Sequence, residues 1–240
     1  KYELDGIICS NDEVYARSAG NPEHAFAFKM VHKDQTAETK VVDVKWNVSK
    51  DGYLKPRVQI EPVVIGGAKI EYTTGFNAKF IVDNHIGTGA VISLIRSGDV
   101  IPHIQHVIRG AETPLMPTST YKWNDTLVDI LLDDHKADQE VNQKILTLFF
   151  KTIGVDGLGA GNIKKIIDAG HTTIQDILCM SREDFMEIDG FKEKLSDKIY
   201  EGIQEKFQKA SLPVLMEATN IFGRGFGKKK FQLILTAAPD

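Results

Sequence analysis

Cysteine is scarce in this sequence, and long apolar runs are missing. Among 240 residues the only cysteines are Cys9 and Cys179, which excludes a disulfide-built fold and a cysteine-rich zinc site within the chain. No run approaches the roughly 18 apolar residues of a membrane-spanning helix, and we find no secretory signal. We therefore expect a cytoplasmic protein in a reducing compartment, without a membrane partner.

An excess of positive charge is also missing. The chain has 29 Lys plus Arg against 33 Asp plus Glu, a formal net charge of −4, which at first argues against a nucleic-acid partner. The charge is unevenly placed, however. Residues 125–140 hold six acidic residues and one lysine, which we interpret as a solvated face, whereas residues 141–240 hold 14 basic and 13 acidic residues. Any phosphate contacts should therefore be spread over several modest sites.

The hydrophobic pattern divides the chain into a β half and an α half. The run from Val41 to Val48 precedes the turn signal Asp51-Gly52, and further short apolar runs follow up to about residue 115, which predicts a small barrel. From about residue 139 the apolar residues fall at helical spacing. Residues Ser181 to Asp184 resemble a capping box that opens a helix at Phe185.

Three glycine-containing turns recur about 33 residues apart in the α half. They are Gly154–Gly161, Ile188–Lys194 and Ile221–Gly227, and each looks like the turn of a helix-hairpin-helix motif. Glycine lets the backbone approach a ligand closely, and the helix that follows presents free N–H groups to phosphate. The alternative is that these glycines only end helices. The candidate DNA-binding positions are Gly157, Gly159, Gly190, Lys192, Gly223, Gly225, Gly227 and Lys228.

Five short motifs, in order, carry a family resemblance. They are Leu4–Ile8, Ala25–Met30, Val48–Pro56, Ile95–Pro102 and Val155–Gly159. The first two resemble the fourth and fifth motifs of covalent nucleotidyltransferases. The next two are similar to the OB domain, and the last to the first helix-hairpin-helix, of NAD-dependent DNA ligases. The chain thus resembles the C-terminal portion or a subunit of such a ligase.

The resemblance implies an α+β multidomain fold. Residues 1–33 would end the nucleotidyltransferase domain, 34–115 would form an OB-fold β-barrel, 116–140 a linker that replaces the zinc finger, and 141–240 an all-α helix-hairpin-helix DNA-binding domain. The family's nucleophile motif Lys-x-Asp-Gly, its four-cysteine zinc finger, a fourth hairpin and a BRCT module are absent from the sequence, and Ser10 stands where the family has lysine. A viral or phage source would suit this reduced form.

The resemblance also implies an activity, the sealing of nicks in double-stranded DNA through a lysyl-adenylate and a DNA-adenylate. The cofactors would be NAD and Mg²⁺, both bound mainly by a part of the enzyme outside this chain, with no zinc. A polypeptide that carries Lys-x-Asp-Gly would then be a partner, and this chain alone would be inactive.

Seven residues of the β half receive roles from the same resemblance. Lys29 and Asp5 would be catalytic, and with Gly6 they would lie beside the adenylate of the cofactor. The others would contact DNA: Lys50 and Arg96 through phosphate, and Val100 and Ile101 as apolar residues in the minor groove. For that last pair the alternative is ordinary strand core. The histidines show no metal-binding spacing, so we expect no metal ligand among them.

Two other functions stay open at this point. The chain could be a non-catalytic OB and helix-hairpin-helix scaffold subunit of a replication or repair complex, which would suit Ser10 and the missing domains. It could also be a clamp subunit that binds only protein. The ligase and the scaffold both predict salt-dependent binding of nicked duplex DNA, whereas the protein-only clamp does not.

Overall fold

The computed structural model describes residues 6–16, 19–28, 36–97, 101–134 and 138–238. The chain forms two compact units. The first comprises residues 1–47, 55–119 and 123–129, and the second comprises residues 48–54, 120–122 and 130–240. No helix of the described residues is long and apolar enough to cross a membrane.

A two-stranded antiparallel hairpin opens the first unit. Strand β1 (Ile7–Ser10) pairs with β2 (Ala25–Phe28), with Ile7 opposite Phe28 and Ser10 opposite Ala25. Its large apolar side chains are exposed, including Ile8 at 76% and Phe26 at 65%.

Five further strands close into a barrel. They are β3 (Thr36–Val48), β4 (Tyr53–Ile65), β5 (Ala68–Thr74), β6 (Val91–Ser97) and β7 (Ile101–Arg109). The order is β3-β6-β7-β5-β4, an additional β3–β4 pairing completes the circle, and β5 runs parallel to β7. Helix α1 (Ala78–Asp83) lies between β5 and β6 and begins where the Asn77 side chain accepts the Phe80 N–H. This arrangement is an OB fold.

Alternating side chains build the barrel core. Along β4, Leu54, Pro56, Val58 and Ile60 are buried, while the residues that alternate with them are at least partly exposed. This is the period of a strand with one buried face. The core also contains Ile81 of α1 and Ile92 of β6, both fully buried. Helix α1 was absent from the sequence prediction because its six residues are too short to show a helical period.

The stretch interpreted as a linker contains two short strands, β8 (Tyr121–Trp123) and β9 (Ile130–Leu132). Strand β9 pairs with the start of β4, placing Tyr53 opposite Leu131. The acidic run is not wholly solvated either, because Asp129 is only 7% exposed and its carboxylate lies 2.8 Å from the Lys55 ammonium. A charged partner makes that burial tolerable, and the sequence pattern does not reveal it.

Seven helices lie among the described residues of the second unit. They are α2 (Gln139–Ile153), α3 (Ala160–Asp168), α4 (Ile174–Leu178), α5 (Arg182–Glu187), α6 (Glu193–Lys209), α7 (Leu212–Ala218) and α8 (Lys228–Ala237). One apolar cluster joins most of them, with Phe150, Phe185 and Ile199 at 0% exposure.

Two capping boxes fix the starts of α4 and α5. The capping box predicted at Ser181 is confirmed, although the helix begins at Arg182, directly after Ser181, and not at Phe185 as predicted. Hydrogen bonds from the Ser181 backbone and hydroxyl hold the pKa of Asp184 below its ordinary value. The Thr173 hydroxyl and backbone likewise lower the pKa of Asp176. Both carboxylates therefore stabilise their helices in the ionised form.

Candidate nucleic-acid interface

The residues predicted to be catalytic fall outside what the structure describes. Asp5, Lys29 and Val100 lie outside the described residues, so their predicted roles stay predictions. Gly6 directly precedes β1 and is partly exposed.

The three predicted turns share one backbone conformation. In each, a glycine with positive φ is followed by an apolar residue and then by an extended residue that begins a helix. The glycines with positive φ are Gly157 (91°), Gly190 (80°) and Gly225 (94°). The helix-starting residues are Gly159, Lys192 and Gly227, with ψ of 170°, 164° and 171°. Gly225 therefore matches Gly157, whereas Gly223 precedes the shared turn.

The first hairpin (residues 154–159) joins α2 to α3. A Cβ on Gly157 would lie 3.0 Å from Ile199 Cγ1, whereas one on Gly159 would meet nothing within 4 Å. The Asn162 amide donates to the Gly157 carbonyl at 2.7 Å and fixes the turn. No side chain caps α3, so its first N–H groups are available to an anion at an open surface.

The second hairpin (residues 188–192) joins α5 to α6. Ile188 and Phe191 are 5% exposed and seat the turn in the core. Lys192, at the position of the second glycine, is exposed and begins α6 without a side-chain cap. The Lys165 ammonium donates to the Asp189 carbonyl at 3.1 Å, so this lysine of α3 supports the second turn.

Ion pairs connect the two arms of the second hairpin. Arg182 of α5 bonds the carboxylates of Asp197 and Glu193 on α6. The hydrogen bond to Asp197, followed by that to Glu193, raises the pKa of Arg182 above its already high ordinary value. Arginine is a permanent cation, and its two hydrogen bonds hold the hairpin arms together.

The third hairpin (residues 220–227) joins α7 to α8 and differs from the first two. Phe226, which corresponds to the buried Leu158 and Phe191, is 44% exposed. The Lys228 N–H, at the start of α8, donates to Glu217 Oε2 at 3.1 Å. A carboxylate of the chain itself therefore already lies at this helix N-terminus.

Lys50 lies in the turn between β3 and β4, within the second unit. Its ammonium donates to the Asn220 side chain and to Asp51 Oδ1 at 3.1 Å. Lys50 also lines an open cavity of about 630 Å³ with Lys144, Lys151 and Ala160, the first residue of α3. The structure thus places Lys50 and the start of α3 on one cavity, which sequence spacing did not predict.

A second candidate surface lies on the barrel. The Arg57 guanidinium stacks 3.9 Å from the centre of the Tyr72 ring, and both residues line two shallow adjoining cavities of about 380 and 320 Å³. Arg96 lines the first cavity and donates to the Gly66 carbonyl at 3.4 Å. Ile101 lines the second and is 65% exposed, so it is not strand core.

Metal-binding geometry is missing from the part of the chain that the structure describes, where no group of three or more His, Cys, Asp or Glu could hold an ion. The described surfaces instead offer cations, exposed backbone N–H groups and a stacked aromatic ring. These are the contacts that nucleic-acid backbones and bases receive from proteins.

Comparison with known proteins decides the family. The NAD-dependent DNA ligase OB-fold domain matches residues 38–114, which carry the barrel. The barrel is thus the OB-fold domain of the NAD-dependent DNA ligase family. The chain is 45% identical over its whole length to a DNA ligase of Acanthamoeba polyphaga mimivirus and 35% identical to a putative DNA ligase of Invertebrate iridescent virus 3. It is also 30% identical over 211 residues to a DNA ligase of the bacterium Psychromonas ingrahamii.

The chain spans only about a third of these ligases: 37% of the mimivirus protein and 32% of each of the other two. The family resemblance drawn from the five motifs is confirmed. Sequence reasoning missed the Arg57–Tyr72 stack and the Asn220 and Glu217 contacts. The alternation along β4 places Arg57 on the exposed face, which was the available signal for it. The other contacts join distant parts of the chain and leave no local signal.

Proposed function

We propose that this chain is the C-terminal part of an NAD-dependent DNA ligase and supplies the DNA-binding surfaces for nick sealing. The observation that carries the proposal is the repeated hairpin. At Gly159 and Lys192 the same backbone conformation begins a helix with no side-chain cap. A repeated turn of this kind suits repeated phosphates along a strand, without reference to base sequence.

The first hairpin and Lys50 would share one stretch of DNA backbone. Lys50, Lys144 and Lys151 line the cavity that reaches Ala160, so their ammonium groups add to the positive end of α3. Lys144 is paired with Glu140 at 2.6 Å and Lys50 with Asp51 at 3.1 Å, so Lys151 is the lysine of this cavity without an ion pair among the described residues. We propose that the all-α part of the second unit is a helix-hairpin-helix domain.

The barrel surface would contact DNA near the nick. Arg57 and Arg96 supply positive charge, the Tyr72 ring lies in the same groove, and Ile101 offers an exposed apolar side chain beside it. An apolar residue at the minor groove favours a deformed local geometry. Ile101 therefore keeps its proposed minor-groove role, and Val100 keeps the same role as a prediction.

The chemistry would be divided between this chain and another part of the ligase. Lys29 and Asp5 would act on the adenylate, whereas the attacking lysine, most NAD contacts and Mg²⁺ belong to a part that carries Lys-x-Asp-Gly. Phosphoryl transfer depends mainly on positioning and charge neutralisation, which a cationic Lys29 would serve.

Binding of nicked duplex DNA tests the proposal. We expect the 240-residue chain to bind a fluorescent nicked duplex, with a log–log salt slope that corresponds to several phosphates at about 0.9 per contact. The Lys151→Ala variant should weaken binding and reduce that slope by about 0.9, the contribution of one phosphate contact. Lys122→Ala, which removes an exposed lysine of β8, is the control. Binding that is absent, or independent of salt, would leave the proposal without support.

The scaffold alternative predicts the same DNA binding but no role in sealing. The sealing experiment that ends the Discussion separates it from the ligase proposal.

A further inference from the structure

We propose that Asn220 of the third hairpin is a positioning residue, which holds the Lys50 ammonium at the place where it meets DNA phosphate. This inference rests on the proposed function, because it assigns the way in which one of the proposed phosphate contacts is oriented. It gives the third hairpin a supporting role that differs from that of the first two.

A carboxylate of the chain itself, that of Glu217, already lies at the N-terminus of α8. Glu217 Oε2 accepts the Lys228 N–H at 3.1 Å, and a Cβ on Gly227 would lie 3.5 Å from Glu217 Oε1. The carboxylate therefore occupies the side from which a phosphate would approach. Helices α3 and α6 have no side-chain cap at the corresponding place.

Arg224, the cation of the third turn, also contacts another part of the same chain. The Arg224 guanidinium lies 5.1 Å from the centre of the Tyr53 ring, within the range of a cation–π contact. Tyr53 follows the β3–β4 turn that carries Lys50, and all three residues belong to the second unit. The third hairpin thus faces the Lys50 turn.

Asn220 makes the connection to Lys50 itself. Its backbone has a φ of +54°, a conformation that asparagine adopts more readily than most residues. Its amide donates to Asp51 Oδ1 at 2.9 Å, and its carbonyl oxygen accepts from the Lys50 ammonium. Asp51 Oδ1 accepts from the same ammonium at 3.1 Å. Asn220 therefore orients both members of the Lys50–Asp51 pair.

This arrangement leaves Lys50 one donor. An ammonium has three N–H groups, and Asn220 and Asp51 take two of them. The side chain keeps 34% of its surface exposed, on the cavity that reaches the start of α3. The third N–H is thus available for a phosphate there, and a long, flexible side chain is already ordered before DNA binds.

A double-mutant cycle tests the coupling. The variants are Lys50→Ala, Asn220→Gly and the double substitution. Glycine replaces Asn220 because glycine accepts a φ of +54° without strain. We expect each single variant to weaken nicked-duplex binding about tenfold and the double variant to weaken it about tenfold as well, since both remove the same contact. Each should also reduce the salt slope by about 0.9.

Two measurements separate this role from a general loss of structure. Urea unfolding should show Asn220→Gly folded at the assay temperature. Asn142→Ala, which removes another side-chain contact of the second unit, to the Thr172 carbonyl, should bind DNA as the unaltered chain does. The inference is overturned if Asn220→Gly binds normally, if Lys50→Ala has no effect, or if the two effects multiply to about a hundredfold. Failure of the unaltered chain to bind DNA would instead count against the proposed function.

Discussion

Gly157 and Gly159 of the first hairpin should respond in opposite ways to substitution. Gly159 begins α3 with φ −73° and ψ 170°, which any residue can adopt. A Cβ added at this position would have no neighbour within 4 Å. An aspartate there would cap the helix and complement its dipole. We expect Gly159→Asp to stabilise the folded chain by about 0.5–1 kcal/mol.

The same substitution should weaken DNA binding. The new carboxylate would take the N–H groups that we assign to phosphate and would repel the phosphate as well. Losing a charge-assisted hydrogen bond costs about 1.5–3 kcal/mol, so affinity for nicked duplex should fall by about tenfold or more. Stability and binding would thus change in opposite directions.

Gly157→Ala is the structural counterpart. Its φ of 91° is left-handed, and the added methyl would lie 3.0 Å from Ile199 Cγ1. Strain and overpacking together should cost about 2–4 kcal/mol of unfolding free energy.

Urea unfolding and fluorescence anisotropy measure the two effects. Ser211→Asp adds the same charge at the start of α7, also without a side-chain cap, and should bind DNA within about twofold of the unaltered chain because this helix is assigned no phosphate. The reasoning is refuted if Gly159→Asp binds normally, or if it destabilises the chain as much as Gly157→Ala.

Three further predictions test the core, the barrel surface and the helix caps. Phe185→Ala, at 0% exposure, should cost about 3–5 kcal/mol in urea unfolding, whereas Phe207→Ala, at 39% exposure, should cost clearly less. Arg57→Ala should weaken nicked-duplex binding several-fold and more than Arg109→Ala, since Arg57, unlike Arg109, lines the groove with Tyr72; equal effects would contradict this. Because the pKa of Asp184 is lowered in the folded chain, its stabilisation is present above the ordinary value and is lost as pH falls through the lowered one. Asp184→Asn should therefore flatten the pH dependence of unfolding as pH falls through the acid range in which aspartate is protonated, and an unchanged slope would show that the cap is not coupled to protonation.

The main architecture was predictable because its signals are local. The alternation along β3 and β4, the Asp51-Gly52 turn and the Ser181 capping box each depend on residues close together in sequence. The repeated glycine turns were found for the same reason, and the structure adds that Gly225, rather than Gly223, occupies the shared position.

The contacts that orient the site were not predictable. Lys50 meets Asn220 across 170 positions, and Asp129 meets Lys55 across 74. Such pairs depend on how the elements pack, which one sequence does not state. The capping of α8 by Glu217 was missed because a charged residue on a neighbouring helix has no fixed spacing from the N-terminus that it caps.

Reconstituted nick sealing tests the central claim most directly. The chain would be mixed with a polypeptide that carries Lys-x-Asp-Gly, NAD, Mg²⁺ and a nicked duplex, and the sealed strand would be measured. We expect sealing only when both polypeptides are present, its loss with Lys29→Ala, and no transfer of radiolabelled AMP from NAD to this chain alone. Sealing that proceeds equally well without the chain or with Lys29→Ala, or AMP bound covalently to the isolated chain, would contradict the account.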